Sequence, residues 1–108
     1  MSEETTDKKI SQLQLIEQNN QQLLMQKQQF KAQLNEITSA LNELQKTTQA
    51  YKIVGNIMVK ATQEDLTKEL ENKKEMMELR IKTIEKQEQH LREKAEALRK
   101  EVVETMEQ

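Results

Sequence analysis

The segment AYKIVGNIMVK, residues 50–60, interrupts a sequence that otherwise reads as helix on both sides. β-branched residues crowd it, and Gly55-Asn56 lies at its centre, where a two-residue hairpin turn needs positive φ. A strand, a tight turn and a second strand are expected here. The turn also sets a register: a chain that folds back at Gly55-Asn56 brings together residues whose numbers sum to about 111.

Working outward, residues 8–46 carry a heptad repeat with Leu13, Asn20, Lys27, Leu34 and Leu41 at a and Ile16, Leu23, Phe30, Ile37 and Leu44 at d. Residues 63–106 repeat the arrangement, with Thr67, Lys74, Ile81, Glu88, Ala95 and Val102 at a and Leu70, Met77, Ile84, Leu91 and Leu98 at d. At about 1.5 Å per residue each helix reaches roughly 60 Å. Thr62 precedes Gln63, Glu64 and Asp65, so its hydroxyl can accept the N3 amide and the acids complement the positive helix end. The turn register places a opposite d, as an antiparallel coiled coil requires. Leu41 then faces Leu70, Leu34 faces Met77, Phe30 faces Ile81 and Leu13 faces Leu98. The polar intruders each face an apolar residue: Asn20 with Leu91, Lys27 with Ile84, Lys74 with Ile37 and Glu88 with Leu23. Lys27 and Lys74 are expected to lay their stems across the seam and place the ammonium in water.

Composition fits paired helices rather than a thick globular core. The chain has 108 residues, 34% hydrophobic and 2% aromatic against 33% charged, with one Gly and no Pro to break a helix. It has no Cys, so disulfide frameworks, thiolate nucleophiles and cysteine zinc sites are excluded. A net charge of −2 with interspersed signs argues against nucleic-acid binding. The polar start, MSEETTDKK, lacks a signal-peptide core, and no apolar run suits a membrane span, so a cytoplasmic protein is expected. The expected fold class is mainly α: an antiparallel two-helix coiled coil joined by one β-hairpin, as a single domain over residues 1–108.

The hairpin cannot stand alone. Lys52, Val54, Ile57 and Val59 share one face, and Tyr51, Ile53, Met58 and Lys60 the other, so both faces are mainly apolar and both edges are open. An isolated hairpin is marginal in water. Pairing with hairpins of other chains is expected, through Tyr51, Ile53, Val54, Gly55, Asn56, Ile57, Met58 and Val59. The competing arrangement, in which the hairpin lies on its own helix ends over Leu44 and Leu66, covers one face only.

Three stretches together carry a family resemblance: QLNEITSALNEL (33–44), AYKIVGNIMVK (50–60) and LTKELENKKEMMELRIKTIEKQE (66–88). In this order, with a single hairpin, they resemble the prefoldin beta subunit of archaeal type. Asn56 departs from the Pro often found after the turn glycine in that family. The resemblance implies a hexamer of two alpha and four beta subunits, with hairpins building a β-barrel platform and coiled coils hanging from it. It also implies an ATP-independent chaperone that holds unfolded proteins and passes them to a group II chaperonin.

Both chain ends fall at the free end of the helical hairpin, where the resemblance places the grip on cargo. Ile10, Leu15, Leu24, Met25, Val103 and Met106 lie there off the seam, beside Leu13, Ile16, Leu98 and Val102 at the seam's own end. These ten are the candidate residues for binding unfolded protein, with Met suited to varied partners. The polar a positions Asn20, Lys27 and Glu88 fall in the same half and should loosen it. His90 is the sole histidine, at an outward c position, with no nucleophile or base placed to work with it. No metal site, phosphate loop or cofactor is indicated, and no catalytic residue. Lys52 can pair across a subunit boundary. The competing function is a structural coiled-coil adaptor or tether that binds one defined partner.

Overall fold

A computed structural model describes residues 3–107, with side-chain surroundings from residue 6 onward. The elements follow in the order α1 (Glu3–Leu44), β1 (Ala50–Val54), β2 (Ile57–Ala61) and α2 (Gln63–Glu107). The chain divides into two compact units. One is the hairpin unit, Gln29–Ile81; the other is a terminal unit, formed by the chain up to Gln28 and from Lys82 onward.

In the hairpin unit, β1 and β2 pair antiparallel with Ala50 opposite Ala61, Ile53 opposite Met58 and Val54 opposite Ile57. This is the register expected from the turn. Gly55 sits at φ 61°, and no other described residue has positive φ. Positive φ at the first central residue alone is the pattern of a II′ turn, whose right-handed twist matches the flanking strands. Asn56 therefore occupies a position that needs no left-handed backbone, a refinement of the sequence expectation.

The helix ends next to the hairpin have identifiable causes. α1 stops at Leu44, two residues earlier than the heptads suggest, and a turn follows in which the Lys46 amide donates to Glu43 O at 3.0 Å. The Gln63 side-chain amide donates to Leu44 O, which satisfies a terminal carbonyl of α1 from the first residue of α2. Thr47 then steers the chain toward β1: its hydroxyl accepts from the Gln49 amide and donates to Gln49 O, each at 3.2 Å. At the start of α2, Thr62 Oγ1 accepts the Asp65 amide at 3.1 Å while Leu66 N donates to Thr62 O, so the expected N-cap forms.

Every residue assigned above to an a or d position is buried or half-buried. Elsewhere on the helices only Thr6, Lys9, Thr38, Ala40, Gln63, Leu66, Glu69 and Thr105 are similarly shielded among the residues whose side chains are described. Thr6, Lys9, Gln63 and Thr105 simply continue the a and d columns by one heptad. Thr38, Ala40, Leu66 and Glu69 belong to the hairpin unit, where helix residues other than a and d are also covered. Phe30 lies in this unit under the guanidinium of Arg80, whose Cζ is 5.7 Å from the ring centroid, placing Phe30 at the level of Arg80 and its neighbour Ile81. In the terminal unit Lys9 pairs with Glu101 at 3.3 Å, within one residue of the expected register.

Candidate functional site

Each apolar surface can be built from what the seam leaves uncovered. The seam consumes the a and d residues, so the remaining large apolar side chains face water unless a neighbour covers them. In the hairpin, every residue from Tyr51 to Lys60 is exposed, and Ile53 retains 70% of its surface. Leu44 and Ala50 are buried, so the helix ends do support the start of β1. Further along, Lys52 reaches Glu69 of α2, yet every residue from Tyr51 to Lys60 stays exposed. The helix ends of one chain therefore leave most of both strands uncovered.

Tyr51, Ile53, Val54, Ile57, Met58 and Val59 together form two exposed apolar faces around the Gly55-Asn56 turn. Lys52 finds a carboxylate within its own chain. Its ammonium reaches Glu69 of α2 in the same chain at 2.9 Å, and Glu69 also lies 3.8 Å from Lys73. The hydrogen bond from Lys52 is the main cause that holds the Glu69 carboxyl below its ordinary range, and the charges of Lys52 and Lys73 act in the same direction.

In the terminal unit, Ile10, Leu15, Leu24, Met25, Val103 and Met106 are all exposed. They are the off-seam members of the expected cargo surface. Its seam members differ: Ile16 and Val102 are buried, at 6% and 9% exposure, and Leu13 and Leu98 are half-buried. The structure thus separates the ten candidates into six that can be touched from outside and four that are occupied in holding the helices together.

The polar residues of this seam also differ from expectation. Lys27 does not send its ammonium to water but pairs with Glu88 at 2.7 Å, with side chains 17% and 11% exposed. Facing-residue arithmetic put Ile84 opposite Lys27 and Leu23 opposite Glu88. It overlooked that two long side chains at a positions can meet by reaching along the seam. Burial in low dielectric makes the pair preferable to leaving either charge alone. Nearby in the sequence, Asn20 buries its side-chain oxygen with no hydrogen-bond donor among the described residues. Such a group costs stability where it sits.

His90 is exposed, as its c position implies. Among the described residues no group of three or more His, Asp or Glu is arranged to hold a metal ion, and no helix is long and apolar enough to cross a membrane.

Comparison with known proteins agrees with this architecture. A family model described as "Prefoldin subunit" matches residues 7–108. The prefoldin subunit beta of Archaeoglobus fulgidus is 48% identical over 88 residues, which cover 79% of this chain and 76% of that protein. The prefoldin subunit beta of Pyrococcus furiosus is 39% identical over 92 residues, 82% of this chain and 79% of its own length. The crystal structure of the prefoldin beta subunit from Thermococcus strain KS-1 superposes with a TM-score of 0.89 at 31% identity, covering 94% of this chain and 91% of that one. Two helices joined by one hairpin, in a chain matched over nearly its whole length, belong to the beta branch of the prefoldin subunit family, a family of chaperone subunits and not of enzymes.

Proposed function

We propose that the chain is one subunit of a hetero-oligomeric, ATP-independent chaperone. Its hairpin builds the assembly, and its terminal unit captures unfolded polypeptide. The observation that carries this reading is where the exposed apolar residues lie. Among the described residues, apart from Met76 and Leu79 on α2, the large exposed apolar residues are those of the hairpin and those of the terminal unit, while the seam between the helices is closed. Burying an apolar side chain is worth roughly 1.5–3 kcal/mol when it is complete, so covering the half-exposed hairpin residues would contribute on the order of 5 kcal/mol per chain. Neighbouring hairpins can supply that cover and satisfy the open strand edges at the same time.

The oligomer proposed is a hexamer with an alpha-type partner, two alpha and four beta chains, whose hairpins form a β-barrel platform. It works in the cytoplasm and passes its cargo to a group II chaperonin. Ile10, Leu15, Leu24, Met25, Val103 and Met106 make first contact with cargo. Leu13, Ile16, Leu98 and Val102 join them only where the helix ends separate.

The test is an Ile10→Ser/Leu15→Ser/Val103→Ser/Met106→Ser variant. All four side chains are exposed, so the fold and native mass of the oligomer should be unchanged. Suppression of aggregation of a chemically denatured test protein should fall several-fold. Full activity in that variant would show that the grip lies elsewhere.

A further inference from the structure

The terminal unit carries a groove that the exposed apolar residues do not account for. It encloses about 510 Å³, with Leu23 and Leu91 among its lining residues, and Asn19, Gln22, Gln26 and Gln87 line it too. Leu23 and Leu91 are the half-buried d residues of their helices and make its floor, and the four exposed amides make its walls. The remaining lining residues are Lys86 and His90, so no carboxylate faces the groove. Among the described residues, none of the four wall amides makes a side-chain hydrogen bond within the chain.

Another hollow of the terminal unit is chemically different. Its lining includes Glu17, Arg92 and the Lys27–Glu88 pair, so charges of both signs meet there and two of them are already engaged. The α1 side of the amide-walled groove instead comes from Gln18–Gln26, nine consecutive residues without a charge.

We propose that the Leu23–Leu91 groove holds a short extended stretch of unfolded polypeptide by its backbone, and favours acidic or neutral stretches over basic ones. A side-chain amide carries both donors and an acceptor, so it can take a peptide C=O or N–H whichever is presented, without regard to the side chain of the guest. Asn19 to Gln26 spans about 10 Å of helix, which matches about three residues of extended chain. The Leu floor adds apolar contact that is equally indifferent to sequence. Lys86, the groove's one permanent charge, attracts acidic guests and repels basic ones. A hold of about three residues is weak alone and gains strength when several subunits engage one chain. The inference rests on the chaperone reading above and names a second place where the cargo is held.

The experiment uses the oligomer assembled with its alpha-type partner. The probe is one permanently unfolded protein, reduced and blocked either with carboxymethyl groups, which are acidic, or with neutral carboxamidomethyl groups. The wild-type oligomer should bind the acidic form roughly twofold to fivefold more tightly, the size of one partly screened charge contact per groove. Gln22→Glu/Gln26→Glu, conservative in shape and helix propensity, should remove or reverse that preference. His90 is the chain's sole histidine, so selective isotope labelling of histidine in this subunit confines the labelled ring signal to the groove. That signal should shift when the acidic probe is added to the wild type. An unmoved His90 resonance, with equal affinities for the two probes in both proteins, overturns the groove assignment. If the four-serine variant then loses binding, the chaperone reading stands without the groove. Failure of the wild type to bind either probe overturns both.

Discussion

Glu88→Gln isolates one feature of the terminal unit, the ion pair that Glu88 makes with Lys27 inside the seam. The substitution keeps shape and removes the carboxylate that Lys27 meets at 2.7 Å. Removing one partner of a fully buried pair costs about 3–5 kcal/mol, because the other charge stays uncompensated. Here the side chains keep 17% and 11% of their surface, and the lysine stem can swing its ammonium toward water, so a loss of about 2 kcal/mol is expected. Lys27→Met should cost more, about 3 kcal/mol, because the shorter Glu88 side chain has less freedom to escape. Replacing both, as Lys27→Leu/Glu88→Leu, removes the desolvation cost along with the attraction. That variant should match or exceed the wild type by up to about 1 kcal/mol. Native-state hydrogen exchange of the assembled oligomer reads the effect where it occurs, as faster amide exchange around residues 20–27 and 84–91 in the single variants. A double-mutant cycle of Lys27→Leu, Glu88→Leu and the two together should give a coupling energy above about 1 kcal/mol. Wild-type exchange in both single variants, with no coupling, would refute the claim that the pair stabilises this unit.

Gly55→Ala should destabilise by about 1–2 kcal/mol in thermal unfolding. A Cβ there meets nothing within 4 Å, so the cost is that of the left-handed backbone at φ 61° alone. Asn56→Pro should be neutral or stabilising by up to about 1 kcal/mol in the same assay, since position 56 needs no positive φ. A loss as large as that of Gly55→Ala would contradict the II′ assignment. Thr62→Ala should cost about 1 kcal/mol in denaturant unfolding by removing the acceptor of the Asp65 amide, and Thr62→Ser should retain most of it. Glu69 has a folded pKa depressed below its ordinary 4.5 by Lys52, so its contribution is complete above that value and is lost as pH falls through the folded pKa. Acid unfolding should therefore separate wild type from Glu69→Gln above pH 4.5 and bring the curves together well below it. Superimposed curves throughout would show that the Lys52 contact adds nothing.

The backbone was legible because its signals are local or periodic. Gly55-Asn56 fixed both the turn and the strand register, the heptads named the shielded residues of both helices, and the Thr62 cap marked the start of α2. What escaped depends on side-chain reach. Facing-residue arithmetic treats each residue as a point, so it could not show that Lys27 and Glu88 would bridge the seam. Nor could it show that Lys52 would reach Glu69 of α2. The early end of α1 escaped for a similar reason, since the side chain that caps it, Gln63, lies beyond the hairpin.

The exposure of the candidate cargo residues was legible in part. Off-seam residues such as Leu15 and Met106 could be recognised from their heptad positions, and they are exposed. Ile16 and Val102 were grouped with them by position along the chain, although as d and a residues they are buried in the seam. The amide-walled groove leaves only a faint sequence signal: the uncharged run Gln18–Gln26 stands out in a chain that is 33% charged. Amides carry no single chemistry and attract no motif, and only the folded arrangement sets them beside Leu23 and Leu91.

The central claim is that the hairpin is an assembly element that one chain leaves unsatisfied. Native mass spectrometry tests it most directly, on the chain alone, on the chain co-expressed with an alpha-type subunit, and on an Ile53→Asp/Met58→Asp variant in both settings. The wild type should assemble, giving a discrete hetero-oligomer with the partner, and the variant should appear as single chains with its helices intact by circular dichroism. A wild-type chain that remains a stable monomer in both settings would contradict the account.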